Sequence, residues 1–107
     1  MKAPTEKQIE AEIKKLETLK PLIPQCNIFG DDNHEKIEAQ ITVLEEGLTE
    51  DDVYDRFEDK DDPDKTADVV SNARDAAMWL VGEAEDGAPS KGWEDLAKLK
   101  DKKTKEK

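Results

Sequence analysis

Apolar residues recur at intervals of three and four along most of this chain, with charged residues between them, and that period predicts helices rather than strands. Ile9, Ile13, Leu16 and Leu19 form the first stripe. Thr5 and Gln8 precede it at capping-box spacing, in which a hydroxyl and an amide satisfy backbone donors left free at a helix start. The first helix therefore runs from Glu6 to Leu19 and stops because Pro21 disfavours helix at Lys20. Ile37, Ile41, Leu44 and Leu48 make a second stripe, started by Asp32 with Glu35 or by Asn33, and closed by a left-handed turn at Gly47. Thr49 opens a short third helix in which Val53, Tyr54 and Phe57 turn inward.

A fourth helix, from Asp64 or Thr66 to Glu85, puts Val69, Ala73, Ala76, Ala77, Leu80 and Ala84 on one face. Its alanines are small enough to let another helix approach closely. Gly87, Pro89 and Gly92 then interrupt the pattern before a short closing helix with Ser90, Trp93, Leu96 and Leu99. Between the first two helices lies PLIPQCNIFG, residues 21 to 30, which is apolar for a loop and is expected to press onto the core with Cys26 buried among its neighbours. A strand over Asn27 to Phe29 would have no other segment to pair with. The expected fold is all-α, a small bundle of three main helices plus one or two short ones, as a single domain over residues 1–97. KLKDKKTKEK, from residue 98, is expected to be a disordered tail.

Length and composition fit that picture. At 107 residues the chain has the size of one domain with little core to spare. Its 42% charged and 35% hydrophobic residues would read as disorder if the apolar positions were scattered, which they are not. A single cysteine excludes an internal disulfide, no apolar run approaches the roughly 18 residues of a membrane span, and the N-terminus lacks the apolar centre of a secretory signal. A reducing, cytoplasmic setting is expected.

Charge changes the picture most. The net charge is -11, and it is unevenly placed. Residues 1–30 carry five lysines against four glutamates, residues 31–97 carry six basic against 22 acidic residues, and residues 98–107 carry six lysines against two acids. The middle of the chain is therefore at -16, a field that repels nucleic acid and anionic membranes and attracts basic surfaces. Between Glu45 and Asp68 there are 12 carboxylates, with Glu38 one helical step upstream. Glu45, Glu46, Asp51, Asp52, Asp55, Glu58, Asp59, Asp61 and Asp62 are the candidate partner-binding residues. Two readings stand side by side: a surface that imitates the phosphates of a duplex and occupies a basic groove, and a solvated surface that keeps the protein soluble.

Other chemistry reads poorly from the residues. DKDDPDK suggests calcium, but a calcium loop opening at Asp59 would place Pro63 fifth, Asp64 where glycine is needed and Val70 where a bidentate glutamate belongs. Cys26 with His34 lacks the third group that catalysis needs and the further cysteines or histidines that zinc needs. Gly30 stands alone before two aspartates that would repel a phosphate. No catalytic residue, metal or cofactor is expected. Trp79 and Trp93 either fill the core or, with Met78, mark an apolar patch that would bind a partner or a second copy.

The combination Phe29-Gly30-Asp31-Asp32-Asn33-His34, Tyr54-Asp55-Arg56 and Ala88-Pro89-Ser90 with Trp93 resembles small acidic proteins of unknown function encoded in bacterial phages and integrated elements. The resemblance implies a host-interaction or anti-defence role, among which acidic imitators of DNA are known. The resulting expectation is a non-enzymatic acidic protein that binds a basic protein surface, with no direct contact to nucleic acid or membrane. The alternative is an adaptor that binds through the patch near Trp79 and Met78, a homodimer included.

Overall fold

The computed structural model describes residues 3–84 and 87–105, with side chains described as far as Lys98. Among the described residues there are five helices and no strand: α1 (Glu6–Leu19), α2 (Asn33–Glu46), α3 (Glu50–Phe57), α4 (Pro63–Leu80) and α5 (Ser90–Lys105). Four of them are 14 to 18 residues long and α3 has eight. From residue 98 the lysine-rich segment expected as a tail continues α5 as far as Lys105, with the side chains beyond Lys98 outside the described ones.

Local signals account for most boundaries. Gln8 N–H donates to Thr5 Oγ1 while Thr5 N–H donates to Gln8 Oε1, so the capping box holds α1 as expected. Asp32 caps α2 by accepting from Glu35 N–H at 3.0 Å. Gly47, at φ 65°, closes α2, and the N–H groups of both Gly47 and Leu48 turn back to Val43 O. Thr49 caps α3 in a second capping box completed by Asp52. Pro63 takes the first position of α4, where its missing N–H leaves nothing unpaired, and Asp62 caps that helix. The end of α4 departs from expectation, at Leu80 rather than Glu85. Gly82, at φ 76°, lets Gly82 N–H and Glu83 N–H fold back onto Trp79 O and Met78 O, and Ala84 leaves the helical face.

The helices pack as a flat body of 45 × 37 × 20 Å, about two helix diameters thick. α2 lies against α4 and α1, α3 packs on α4, and α5 packs on α1. Leu16, Ile23, Ile37, Val43, Leu44, Val53, Val69, Val70 and Trp93 join Ala39, Ala73, Ala76 and Ala77 in the core. The alanine face of α4 is thus used as the spacing predicts. α2 is turned from its expected stripe, with Ala39, Gln40 and Val43 inside and Ile41 and Leu48 only half-buried.

Two further expectations fail. Tyr54 does not turn inward but is 52% exposed, because Val53 and Phe57, four apart, already occupy the buried face of the short α3. The connector 21–30 does not press onto the core either. Only Ile23 is buried, while Leu22, Cys26, Ile28 and Phe29 are exposed. Buried Asn33 is the reason: its side chain donates to Pro24 O at 3.0 Å and its backbone N–H to Gln25 O at 2.6 Å, which turns the chain after Ile23 outward into a stalk. Cys26 and Asp32 pair across that stalk as an isolated bridge.

Candidate functional site

All nine candidate carboxylates are exposed, over the last turn of α2, the outer side of α3 and the α3–α4 connection. They divide by what they do inside the protein. Four have structural work. Glu46 pairs with Arg56 at 3.3 Å and ties α3 to the end of α2. Asp52 accepts Thr49 N–H at 3.2 Å, and Asp62 accepts Lys65 N–H at 3.0 Å, each at a helix start where a negative charge suits the dipole. Asp59 Oδ1 accepts Asp61 N–H at 3.0 Å. The carboxylates of Glu45, Asp51, Asp55, Glu58 and Asp61 have neither a hydrogen bond nor an ion pair.

The connection that bears Glu58 to Asp62 is held in place although it has no apolar residue. Thr66 Oγ1 accepts Asp59 N–H at 2.7 Å and lies 2.9 and 3.0 Å from the carbonyl oxygens of Asp59 and Asp62. Asp62 N–H donates to Asp59 O. The free carboxylates there stand on a hydrogen-bonded turn, so presenting them to a partner costs less chain entropy than ordering a loose loop would.

Three cations near this belt are committed to other groups, and Lys60, between Asp59 and Asp61, is exposed with no ion pair. Arg56 pairs with Glu46, Arg74 with Glu50 at 3.3 Å, and Lys65 with Glu35 at 3.0 Å. The hydrogen bond and charge of Glu35 hold the Lys65 pKa above its ordinary value. Asp68, just beyond the belt, is also raised, by partial burial first and then by the hydrogen-bonded carboxyl of Asp31. Like charges therefore meet where the stalk touches α4. Arg74 Nε is buried without a hydrogen-bond partner, a feature for which nothing in the sequence gave a signal.

A recess of about 330 Å³ opens between α2, the end of α3 and the start of α4. Glu35, Glu38, Glu58 and Asp59 line it with Arg56 and Lys65, over a floor of Ala39, Phe57 and Val69. It joins the belt to the acids of the outer side of α2. A cavity of about 880 Å³ lies elsewhere, lined by Met78, Pro89, Trp93 and Leu96 with Gln40, Asn72 and Asp75. Met78 and Trp79 are both half-buried, whereas Trp93 is in the core.

Other candidate chemistry separates. Among the described residues, no three His, Cys, Asp or Glu side chains come together to hold a metal ion. Cys26 is exposed rather than a buried thiol, because the stalk carries it away from the core. His34 Nε2 lies 2.9 Å from Ile23 O. A carbonyl can only accept, so Nε2 is the nitrogen that donates. No helix is long and apolar enough to cross a membrane among the described residues.

Comparison with known proteins returns no matching family model, no matching curated protein and no matching solved structure.

Proposed function

We propose that this is a non-enzymatic binding protein that docks its acidic belt on a basic protein surface, most concretely the nucleic-acid groove of a DNA-binding protein. One observation carries the reading. Five carboxylates of the belt, Glu45, Asp51, Asp55, Glu58 and Asp61, are exposed and have no internal partner, while Arg56, Arg74 and Lys65 are already paired and Lys60 alone is left to offset them. Unpaired like charges repel one another, and a groove of lysines and arginines relieves that repulsion while both surfaces release counterions. Glu46, Asp52, Asp59 and Asp62 contribute to the same field while holding their local bonds. The setting is the cytoplasm, where such grooves occur.

The test is displacement. Purified DNA-binding proteins on a labelled duplex are titrated with this chain at several salt concentrations, and release of DNA that weakens steeply as salt rises is the expected result. A variant with Glu45→Gln, Asp51→Asn, Asp55→Asn, Glu58→Gln and Asp61→Asn should lose most of that activity and keep its fold. Displacement by the variant equal to that by the parent refutes the reading.

A second reading has one observation of its own. The 880 Å³ cavity beside Met78, Pro89, Trp93 and Leu96 offers apolar surface for a partner or for a second copy. Association through it would be nearly independent of salt, which separates the two.

A further inference from the structure

The stalk between α1 and α2 ends in a built apolar tip. Ile28 is 93% exposed and Phe29 is 83% exposed, the two most exposed large hydrophobic residues described. A flexible loop could carry such residues without meaning. This one is not loose. Asn27 Oδ1 accepts Phe29 N–H at 2.8 Å and Asp31 N–H at 3.0 Å, while Asn27 N–H donates to Asp31 O and Gly30 N–H to Asn27 O, both at 3.0 Å. Gly30, at φ 88°, takes the left-handed position that the turn requires. Below the tip, Asn33 binds Pro24 O and Gln25 O, and His34 Nε2 binds Ile23 O.

The chain thus uses two asparagines, a histidine and a glycine to hold two large apolar side chains in water. An adjacent aliphatic and aromatic pair on a rigid support is what a hot spot needs, because little entropy is lost when it enters a pocket. Its surroundings select the partner. Asp31 lies in the same turn, Asp32 caps the following helix, and Asp31 meets Asp68 of α4. Of the cations here, Lys65 is paired with Glu35 and Lys36 offsets Asp68, which leaves Asp31 and Asp32 to set an acidic rim. A second copy of this chain, at -11, would bring like charge to the contact, and an anionic lipid surface would be repelled in the same way.

We propose that Ile28 and Phe29 are the apolar anchor of the contact, and that the partner is a protein with an apolar pocket rimmed by lysine or arginine. The inference rests on the acidic-contact reading for the sign of the partner's charge, and adds where on that partner the protein is fixed. Steering comes from the carboxylates; residence comes from the tip.

The experiment has two parts. Phe29 is replaced by the photoreactive p-benzoylphenylalanine in the full chain, the protein is irradiated in cells, and the cross-linked peptide is sequenced. The partner is then purified and its affinity measured for the parent, for Ile28→Ser with Phe29→Ser, and for the five-carboxylate variant, across a salt series. The expected result is a cross-link to an apolar segment flanked by basic residues, and a loss of affinity of about tenfold or more for the serine pair with the salt dependence unchanged. Both side chains are in solvent, so the serine pair folds like the parent, and circular dichroism checks it. A cross-link to a second copy or to lipid, no discrete cross-link, or unchanged affinity of the serine pair overturns the anchor. If the serine pair loses affinity while the parent's affinity is independent of salt and the five-carboxylate variant binds as the parent does, the anchor survives and the acidic reading falls. If only the five-carboxylate variant loses affinity, the anchor falls and the acidic reading stands.

Discussion

The indole Nε1–H of Trp93 on α5 donates to Gln40 Oε1 on α2 at 2.6 Å, with both side chains buried and 53 positions apart in the chain. Gln40 Nε2 in turn lies 3.2 Å from Asn72 O on α4, so one amide joins three helices. Replacing Gln40 by Leu leaves the indole N–H without an acceptor in the core, and a buried unsatisfied donor costs about 1–3 kcal/mol. Trp93→Phe removes the donor and leaves Gln40 Oε1 unpaired, at a similar cost. The double variant Gln40→Leu with Trp93→Phe should be less destabilised than the sum of the two singles, because no polar atom of that pair is then stranded. Urea midpoints of the four proteins, at unchanged slope, check it.

α5 depends on a second distant contact. Glu12 on α1 is buried, and its Oε1 accepts Ser90 N–H at 2.6 Å, a bond between residues 78 apart at the first residue of α5. The carboxylate thus serves as a cap supplied by another helix. Glu12→Gln keeps an acceptor oxygen and should cost about 1 kcal/mol, whereas Glu12→Ala should cost about 1.5–3 kcal/mol, the range for hydrogen bonds to a charged group. Thermal unfolding followed by circular dichroism should rank the three proteins parent, Gln, Ala.

These contacts mark where the sequence stops being readable. The bounds of α1 follow from Thr5, Gln8 and Pro21, all within one turn of the ends they define. Capping and propensity act locally, and a linear pattern displays them. Gln40 and Glu12 read as outward positions because a polar residue goes inside only when a partner awaits it, and those partners lie 53 and 78 residues away. Ile28 and Phe29 mislead in the opposite direction, since an apolar run in a loop argues for burial unless side chains such as Asn27 and Asn33 are seen to hold it out. The belt is legible as composition. Which carboxylates are free is not, although Asp62 before Pro63 and Asp52 three after Thr49 carry cap signals in their spacing.

Thr66 should matter more than its half-exposed position suggests. Its hydroxyl is the main hydrogen-bond link between α4 and the turn that presents Glu58, Asp59 and Asp61. Thr66→Val keeps the shape and removes the link. Water can reach the freed Asp59 N–H, so the loss should be only about 1 kcal/mol of global stability. The local effect should be larger, with amide exchange at residues 59 to 62 faster than in the parent while the amides of Val69 to Ala77 keep their protection.

Asp31 and Asp68 give the protein a dependence on pH whose sign can be worked out. The Asp68 carboxyl has its pKa raised in the fold, by partial burial and then by the hydrogen-bonded Asp31 carboxyl, while Lys36 opposes the shift. A raised folded pKa means that the native state holds the proton more tightly than the unfolded chain does. The stabilisation is fully present below the ordinary aspartate value of 3.8, and it is lost as pH rises through the raised folded value. Once Asp68 loses its proton, its charge stands in a partly desolvated place beside the Asp31 carboxyl where the stalk meets α4. Asp68→Asn removes that charge, and its amide can donate to Asp31 in place of the shared proton. The variant should therefore be more stable than the parent at pH 7, with an advantage that shrinks steadily as pH falls toward 4. Urea unfolding of both proteins between pH 4 and pH 8 measures the difference. An advantage for Asp68→Asn that is constant across that range would show that the proton between the two carboxyls has no part in it.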